Sequence, residues 1–338
     1  MTSCISGIQQ CGIGVANVLE AAHYYKILLG FDCLVFDDTA DAELMTKYTG
    51  NEIYRRRALL TMNMQGGGGI ELWQFLDRKP MAAAEKVKLG DLGIFAIKIK
   101  ARDIEKAHQF FTKRNKEIVS DIYQNMASTN CFLLEDIYQN HFEIVESNNF
   151  FSATAHVCGG VYGAIIGVSD LEKATEFYGK ILQNTTLINS DIVEENISKV
   201  LLKKERSSSG AFANLLGEME IELVQSAELK LKIYQDRYWG DLGFIHLCLD
   251  VCDMTSYKSL QVAMGNHFTV DSNGFFKMEQ AGGRFCYMED ADGTLMELVE
   301  TYKVPILKRW GWYLNLSKRK SKKPLPDWIV KMLGLNKI

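Results

Sequence analysis

Residues 289–300 read EDADGTLMELVE. Asp292-Gly293 marks a tight turn. The run after it, LMELVE, places a glutamate, Glu297, inside a short apolar strand. The same closing phrase occurs three more times: IELWQF around Glu71, FEIVES around Glu143 and IELVQS around Glu222. Each is preceded by a matching opening. The four openings are QCGIGVANVLEAAHYYKILLGF, IFAIKIKARDIEKAHQFF, GAIIGVSDLEKATEFYGKIL and HLCLDVCDMTSYKSLQVAMG. Each begins with an alternating strand that ends at Val15, Ile99, Val168 or Val251 and then enters a helix, the last one weaker. Asp103 and Asp170 stand where N-caps belong.

The repeats keep a fixed spacing. Val15 and Val168 are 153 residues apart, and Ile99 and Val251 are 152 apart. Glu71 and Glu222 are 151 apart, and Glu143 and Glu297 are 154 apart. Agreement of four offsets indicates a duplicated half, each half holding two similar units. Within a unit the pattern reads strand, helix and about three strands. The division expected is 1–150, 151–302 and a tail, 303–338. GGGG at 66–69 reads as a hairpin link. The insertion at 37–57 should cover one mouth of the sheet, with Arg55, Arg56 and Arg57 on a solvated edge.

Composition sets the class. The chain has 338 residues, 47% hydrophobic and 24% charged, with a net charge of -4. That is a globular composition, with no overall positive field to collect nucleic acid. The tail departs from the average. Residues 303–338 carry ten Lys or Arg against one acid, and three of the five tryptophans. A basic, aromatic tail either packs on the acidic body or makes a peripheral contact with lipid. The eight cysteines include no CxxC pair, and the N-terminus lacks the pattern of a secretory signal. Reduced thiols in a cytoplasmic protein are therefore expected.

A strand-helix-three-strand unit makes a curved half-barrel with an open concave face, so two units must pair to enclose a cavity. With this unit repeated four times and closed by EDADGTLMELVE, the chain resembles the vicinal oxygen chelate superfamily over residues 5–302. That superfamily includes glyoxalase I, methylmalonyl-CoA epimerase, extradiol dioxygenases and the bleomycin-resistance proteins. The resemblance implies an α+β fold of four βαβββ units in two half-barrel pairs. It also implies metal ligands five residues before each strand-closing residue and at each closing glutamate. Those positions are Gln10, Ile94, Gly163 and His246, and Glu71, Glu143, Glu222 and Glu297.

Units one and four together hold Gln10, Glu71, His246 and Glu297. Units two and three cannot complete a ligand set, so Glu143 and Glu222 are read as vestigial or surface residues. The pairing expected is therefore crossed, one with four and two with three. The four-residue set matches the ligand pattern of eukaryotic glyoxalase I. It suits Zn, Ni, Co, Mn or Mg, because it offers oxygen donors and one imidazole. The reading is a metal-dependent isomerase, epimerase or lyase working through an enolate. Glu297 is the first choice of base by correspondence, and Glu71 acts as ligand or on the opposite face.

The positions that hold glutathione in glyoxalase I are Gly14, Leu242 and Phe75 here, so a glutathione adduct is not expected. Trp73, Phe75, Tyr287 and Trp239 would instead line a pocket for a partly apolar small molecule. The alternative is a metal-free binding protein of the bleomycin-resistance type. An extradiol dioxygenase is disfavoured by the single histidine. Either a monomer or a homodimer is compatible, since four units can close both cavities.

Overall fold

In the computed structural model, residues 5–114, 118–189, 196–228, 230–273, 276–277, 281–317, 319 and 322–338 are described. Unit one comprises β1 (Ile5–Gly14), α1 (Val18–Leu29), β2 (Cys33–Asp41), β3 (Arg55–Met62) and β4 (Gly69–Phe75). Unit two comprises β5 (Gly93–Ala101), α2 (Ile104–Thr112), β6 (Tyr123–Gln124), β7 (Asn130–Glu135) and β8 (His141–Glu146). Unit three comprises β9 (Cys158–Gly167), α3 (Leu171–Leu182), β10 (Thr186–Asn189), β11 (Ile197–Lys204), a short helix α4 (Ala213–Leu216) and β12 (Met219–Ser226). Unit four comprises β13 (Gly243–Val251), α5 (Met254–Ala263), β14 (Phe268–Asp271), β15 (Phe276–Lys277), β16 (Gly282–Glu289) and β17 (Leu295–Leu307). Then come β18 (Trp312–Asn315) and α6 (Asp327–Met332).

The helices start where side-chain caps satisfy the first N–H groups. Asp103 accepts from Lys106 N, Asp170 from Lys173 N, and Asp253 from Ser256 N. Asn17 does the same for α1, accepting from Leu19 N and Glu20 N.

Strand pairing is crossed. The first sheet runs β14-β16-β17-β13-β1-β4-β3-β2 and joins units four and one. The second runs β10-β11-β12-β9-β5-β8-β7-β6 and joins units three and two. In each, two first strands meet antiparallel at the centre: β1 with β13, and β5 with β9. Each first strand also pairs in parallel with the last strand of its own unit. Each sheet thus curls into a mixed half-barrel pair. The main core joins β1, β5, β9 and β13 to the helices, with Ile13, Tyr25, Ile97, Ile99, Tyr178 and Leu247 all buried.

The ladder aligns the units more closely than a count from the strand-closing residue. Opposite the four glutamates stand Gly12, Lys98, Ile165 and Cys248. Two residues earlier on each strand lie Gln10, Ala96, Gly163 and His246. Ala96, not Ile94, is therefore the unit-two counterpart of Gln10. The helix caps agree: Ala101 stands two residues before Asp103, as Val15, Val168 and Val251 stand before Asn17, Asp170 and Asp253, so the strand-closing residue of unit two is Ala101 and not Ile99.

The second half-barrel is filled from within. Lys98 is completely buried, and its Nζ lies 3.1 Å from Glu143, 2.8 Å from Glu220 and 2.7 Å from Glu222. Burial alone would push this ammonium's pKa down, but the three carboxylates outweigh that and hold it well above the usual lysine value. Glu143 and Glu222 are therefore neither vestigial nor on the surface. Tyr123 donates to Glu143 at 2.7 Å, and Lys199 approaches Glu222 at 3.2 Å. The lysine has room because Gly163 faces it across the ladder.

The C-terminal segment packs. β17 runs on through residue 303, and β18 pairs with its end. Val304, Ile306, Leu316, Leu325, Val330 and Leu333 join a buried cluster with Cys33, Met62 and Leu215. Lys337 pairs with Asp32 at 2.6 Å, and Lys322 with Asp253 at 3.1 Å. Trp310, Trp312 and Trp328 remain exposed. The basic run at 317–324 lies partly outside the described residues. No helix among the described residues is long and apolar enough to cross a membrane.

Lys98→Met leaves three buried carboxylates without their cation. It should destabilise the chain by about 3–5 kcal/mol, read by urea unfolding at neutral pH. A loss under about 1 kcal/mol would mean that the carboxylates do not depend on this ammonium.

Candidate metal centre

The floor of the first half-barrel is built by register. β1 and β13 run antiparallel with Gln10 opposite Cys248 and Gly12 opposite His246. Gln10 and His246 therefore sit diagonally across the central pair. Glu71 and Glu297 come in from the flanking parallel strands, Glu71 beside Gly12 and Glu297 beside Cys248. Strand alternation puts all four side chains on the concave face.

They converge. The amide nitrogen of Gln10 donates to Glu71 Oε2 at 2.9 Å and to Glu297 Oε2 at 3.2 Å. His246 Nε2 lies 3.1 Å from Glu297 Oε2 and 3.6 Å from Glu71 Oε2. Trp73 Nε1 donates to Glu71 Oε2 at 2.8 Å. Tyr287 lies behind the imidazole, its hydroxyl 3.5 Å from His246 Nδ1. One ligand atom from each of Glu71, His246 and Glu297 falls within 4.8 Å of the others, and all three residues are buried. This group could hold a metal ion.

Gly12 makes the arrangement possible. A Cβ at that position would fall 2.4 Å from His246 Cε1, so any side chain would displace the ring. The second half-barrel shows the converse. There the position equivalent to Gly12 carries Lys98, and the position equivalent to His246 is Gly163. One sheet keeps an imidazole and space, whereas the other keeps an ammonium and none.

The unpaired atoms indicate what the first sheet is built to hold. Gln10 Oε1 and His246 Nε2 are buried with no hydrogen-bond partner among the described residues, although a carboxylate oxygen lies 3.1 Å from that nitrogen. An orphaned buried acceptor costs about 1–3 kcal/mol. An amide turned over would present its oxygen to a shared cation, and the imidazole nitrogen already faces the same point. Two carboxylates, one imidazole and one amide oxygen fit a divalent ion of the oxygen-preferring or borderline kind.

The two carboxylates differ. Burial, then repulsion from Glu297, raises the Glu71 pKa to about 7. Burial also pushes Glu297 up, but the adjoining His246 imidazole outweighs it and holds Glu297 below the usual range. For His246, burial works downward and is outweighed by Glu297 and Glu71, so the ring's pKa is raised. Glu297 is the persistent anion, and Glu71 titrates near neutrality.

A cavity of about 450 Å³ opens over this floor, with Gln10, Glu71 and Glu297 in its lining. Trp73, Tyr287 and Trp239 line it, as the sequence suggested. Phe75 does not. Its ring is covered by Tyr54 at 5.4 Å and by the Arg78 guanidinium at 4.7 Å. Arg56 is not on a solvated edge: it lines the cavity, pairs with Asp38 at 2.6 Å and lies 4.9 Å from the Trp73 ring centre.

Several lining residues escaped the sequence reading. Val299, Thr301 and Lys303 follow Glu297 at alternate positions on β17, a period-2 signal open to inspection. Phe212, Leu215 and Leu216, around α4, and Leu333 carried no comparable signal.

The remaining histidines pack elsewhere. His141 stacks on Phe95 at 4.8 Å, His108 meets Phe132 edge-on, and His156 contacts Asp32 at 3.0 Å. His23 and His267 are exposed. The seven described cysteines are free thiols.

No protein-family model matches the chain, and no curated protein matches it. Solved structures do match. A proposed dioxygenase from Bacillus subtilis superposes with a TM-score of 0.59 at 16% identity, covering 88% of this chain and 86% of its own. Glyoxalase I from Zea mays superposes with a TM-score of 0.54 at 14% identity, covering 87% of this chain and 92% of its own. At these identities the likeness establishes architecture. The chain has the vicinal oxygen chelate fold in its four-unit form.

Gly14 is closely packed: a Cβ there would fall 1.8 Å from the carbonyl oxygen of Asp241. The Asp241 carboxylate instead takes Arg78 at 2.7 Å.

The Glu71 shift gives metal binding a pH dependence. Below about 7 the folded protein keeps a proton on Glu71 that a cation must displace. Because this pKa lies above the unfolded value, the empty site loses stability as pH rises from the ordinary carboxylate range through about 7. A divalent ion should relieve that loss. Its affinity should rise with pH as Glu71 and His246 give up their protons, by up to about tenfold per pH unit for each group, measured by calorimetric titration. An affinity independent of pH between 5.5 and 8 would show that Glu71 is not a ligand.

Proposed function

We propose that the chain is a metal-dependent isomerase, epimerase or lyase that moves a proton next to a carbonyl. The observation that carries this is the buried convergence of Glu71, His246 and Glu297, with the partnerless Gln10 oxygen beside them. Zn, Ni, Co, Mn and Mg all suit the donor set. A cation held by these residues supplies polarisation of a carbonyl oxygen and stabilises the oxyanion of an enolate.

The chain's own residues divide the remaining work. Glu297, kept anionic by His246, holds charge at the floor. Glu71, which lines the cavity and accepts from Trp73 Nε1, is placed to take a proton from the carbon beside the carbonyl and return it. Glu297, the first choice of base by correspondence, is paired with His246. Trp73 Nε1 fixes the orientation of the Glu71 carboxylate. The apolar cavity wall excludes water from the exchanged proton.

Closure at Gly14 speaks against a glutathione adduct. One imidazole and two carboxylates speak against the two-histidine iron site of extradiol dioxygenases. The cavity's apolar lining also suits a metal-free sequestering protein, and the experiment separates the two readings. Free thiols and the absence of a long apolar helix among the described residues fit a cytoplasmic location. Both half-barrels close within one chain, so catalysis requires no second copy.

The test is metal analysis with proton exchange. Purified protein should contain about one divalent ion per chain, lost in a His246→Ala, Glu297→Ala double variant. The loaded protein should catalyse deuterium incorporation at C3 of pentane-2,4-dione, and Glu71→Gln should lower that rate by about 10²–10⁴-fold. Absence of bound metal with an intact fold would favour the sequestering protein.

A further inference from the structure

Two separate apolar clusters flank the metal floor, one on each side. Along β17, Leu295 belongs to the first cluster, Glu297 follows, and Val304 belongs to the second. The opposite wall shows the same order in reverse. Trp73 belongs to the first cluster, Glu71 stands two residues before it, and Met62, at the end of β3, belongs to the second. β3 supports that order: Leu60, which pairs with Glu71, belongs to the first cluster, and Met62 lies beyond it.

The sides differ in kind. The first is aromatic, with Trp73 and Trp239 ring centres 4.3 Å apart and Phe285 partly buried beside them. Trp239 is 3% exposed, and its indole N–H has no partner among the described residues, leaving it as a donor in that wall. The second side is mainly aliphatic, with Phe212 its one buried aromatic among the described residues, and is roofed from far along the chain: Leu216 comes from unit three and Leu333 from the C-terminal segment. Both sides border one cavity of about 450 Å³, and Gln10, Glu71 and Glu297 lie in its floor.

We infer that the ligand is an elongated compound whose reacting carbonyl is internal, with an aromatic or similarly flat apolar arm on one side and an aliphatic arm on the other. The inference rests on the reading of this floor as the reacting centre, and it adds the substrate class. A small terminal aldehyde would leave both arms of the cavity unfilled. Each filled arm removes apolar surface from water and should strengthen binding about tenfold or more.

The test compares four 1,3-diketones that share the same carbonyl pair. 1-Phenyldecane-1,3-dione has both arms, 1-phenylbutane-1,3-dione has the aromatic arm only, decane-2,4-dione has the aliphatic arm only, and pentane-2,4-dione has neither. Calorimetric titration is made on the full chain, once treated with chelator and once with added Zn. The two-armed compound should bind at least about a hundredfold more tightly than pentane-2,4-dione, with each one-armed compound between them.

Phe285→Ser should erase the advantage of the phenyl arm, and Leu333→Ser that of the alkyl arm, each in a variant shown to be folded by its melting curve. Equal affinities across the four compounds in the unsubstituted chain would overturn the inference, whatever the variants do. Preference for both arms with no Zn bound would sustain the ligand class and remove the proposed reaction. Zn binding without arm preference would do the opposite.

Discussion

The antiparallel pairing of β1 with β13 is the constraint on which the site depends. It joins the first unit to the last and places Gln10 and His246 diagonally across one ladder. The parallel pairings of β4 and β17 then have only one way to bring Glu71 and Glu297 to the same floor. A one-residue slip of β1 against β13 would turn Gln10 away from the face that carries His246. Gly12 is part of the same constraint, because the imidazole occupies the volume where its side chain would be.

Duplication explains why one chain contains two different solutions to one geometry. Both sheets bring glutamates from their flanking strands toward the central pair. In the first sheet a glycine and a histidine leave space between the carboxylates. In the second, Gly163 and Lys98 exchange those roles, and the Lys98 ammonium fills the space among three carboxylates, with Lys199 and Lys203 adding charge from the side. The first sheet keeps a group that could hold a metal ion, and the second keeps a lysine. Specialisation of that kind permits the filled sheet to serve as scaffold while the open one carries a cavity.

Much of this was legible in sequence because repeats report register. Four strand openings and four glutamate closings gave the units, and the distribution of Gln10, Glu71, His246 and Glu297 among them pointed to crossed pairing. The caps at Asp103 and Asp170 were equally readable. Three features were not. β5 closes at Ala101, an inconspicuous small residue two places past Ile99, so counting from Ile99 gave Ile94 in place of Ala96. Nothing in the strand pattern marks Lys98, whose role comes only from the tertiary approach of Glu220 and Glu222. The cavity roof comes from Leu216 and Leu333, distant segments whose meeting no local pattern records. Phe75 was misplaced for a related reason: Tyr54 and Arg78 cover a ring that shares a strand with Trp73.

The proposed metal site and the lysine-filled sheet are separated by anomalous diffraction from crystals grown with Zn. One strong peak per chain is expected, bounded by Glu71, His246 and Glu297, with no peak among Glu143, Glu220 and Glu222. A peak in the second half-barrel, or none in the first, would contradict that assignment.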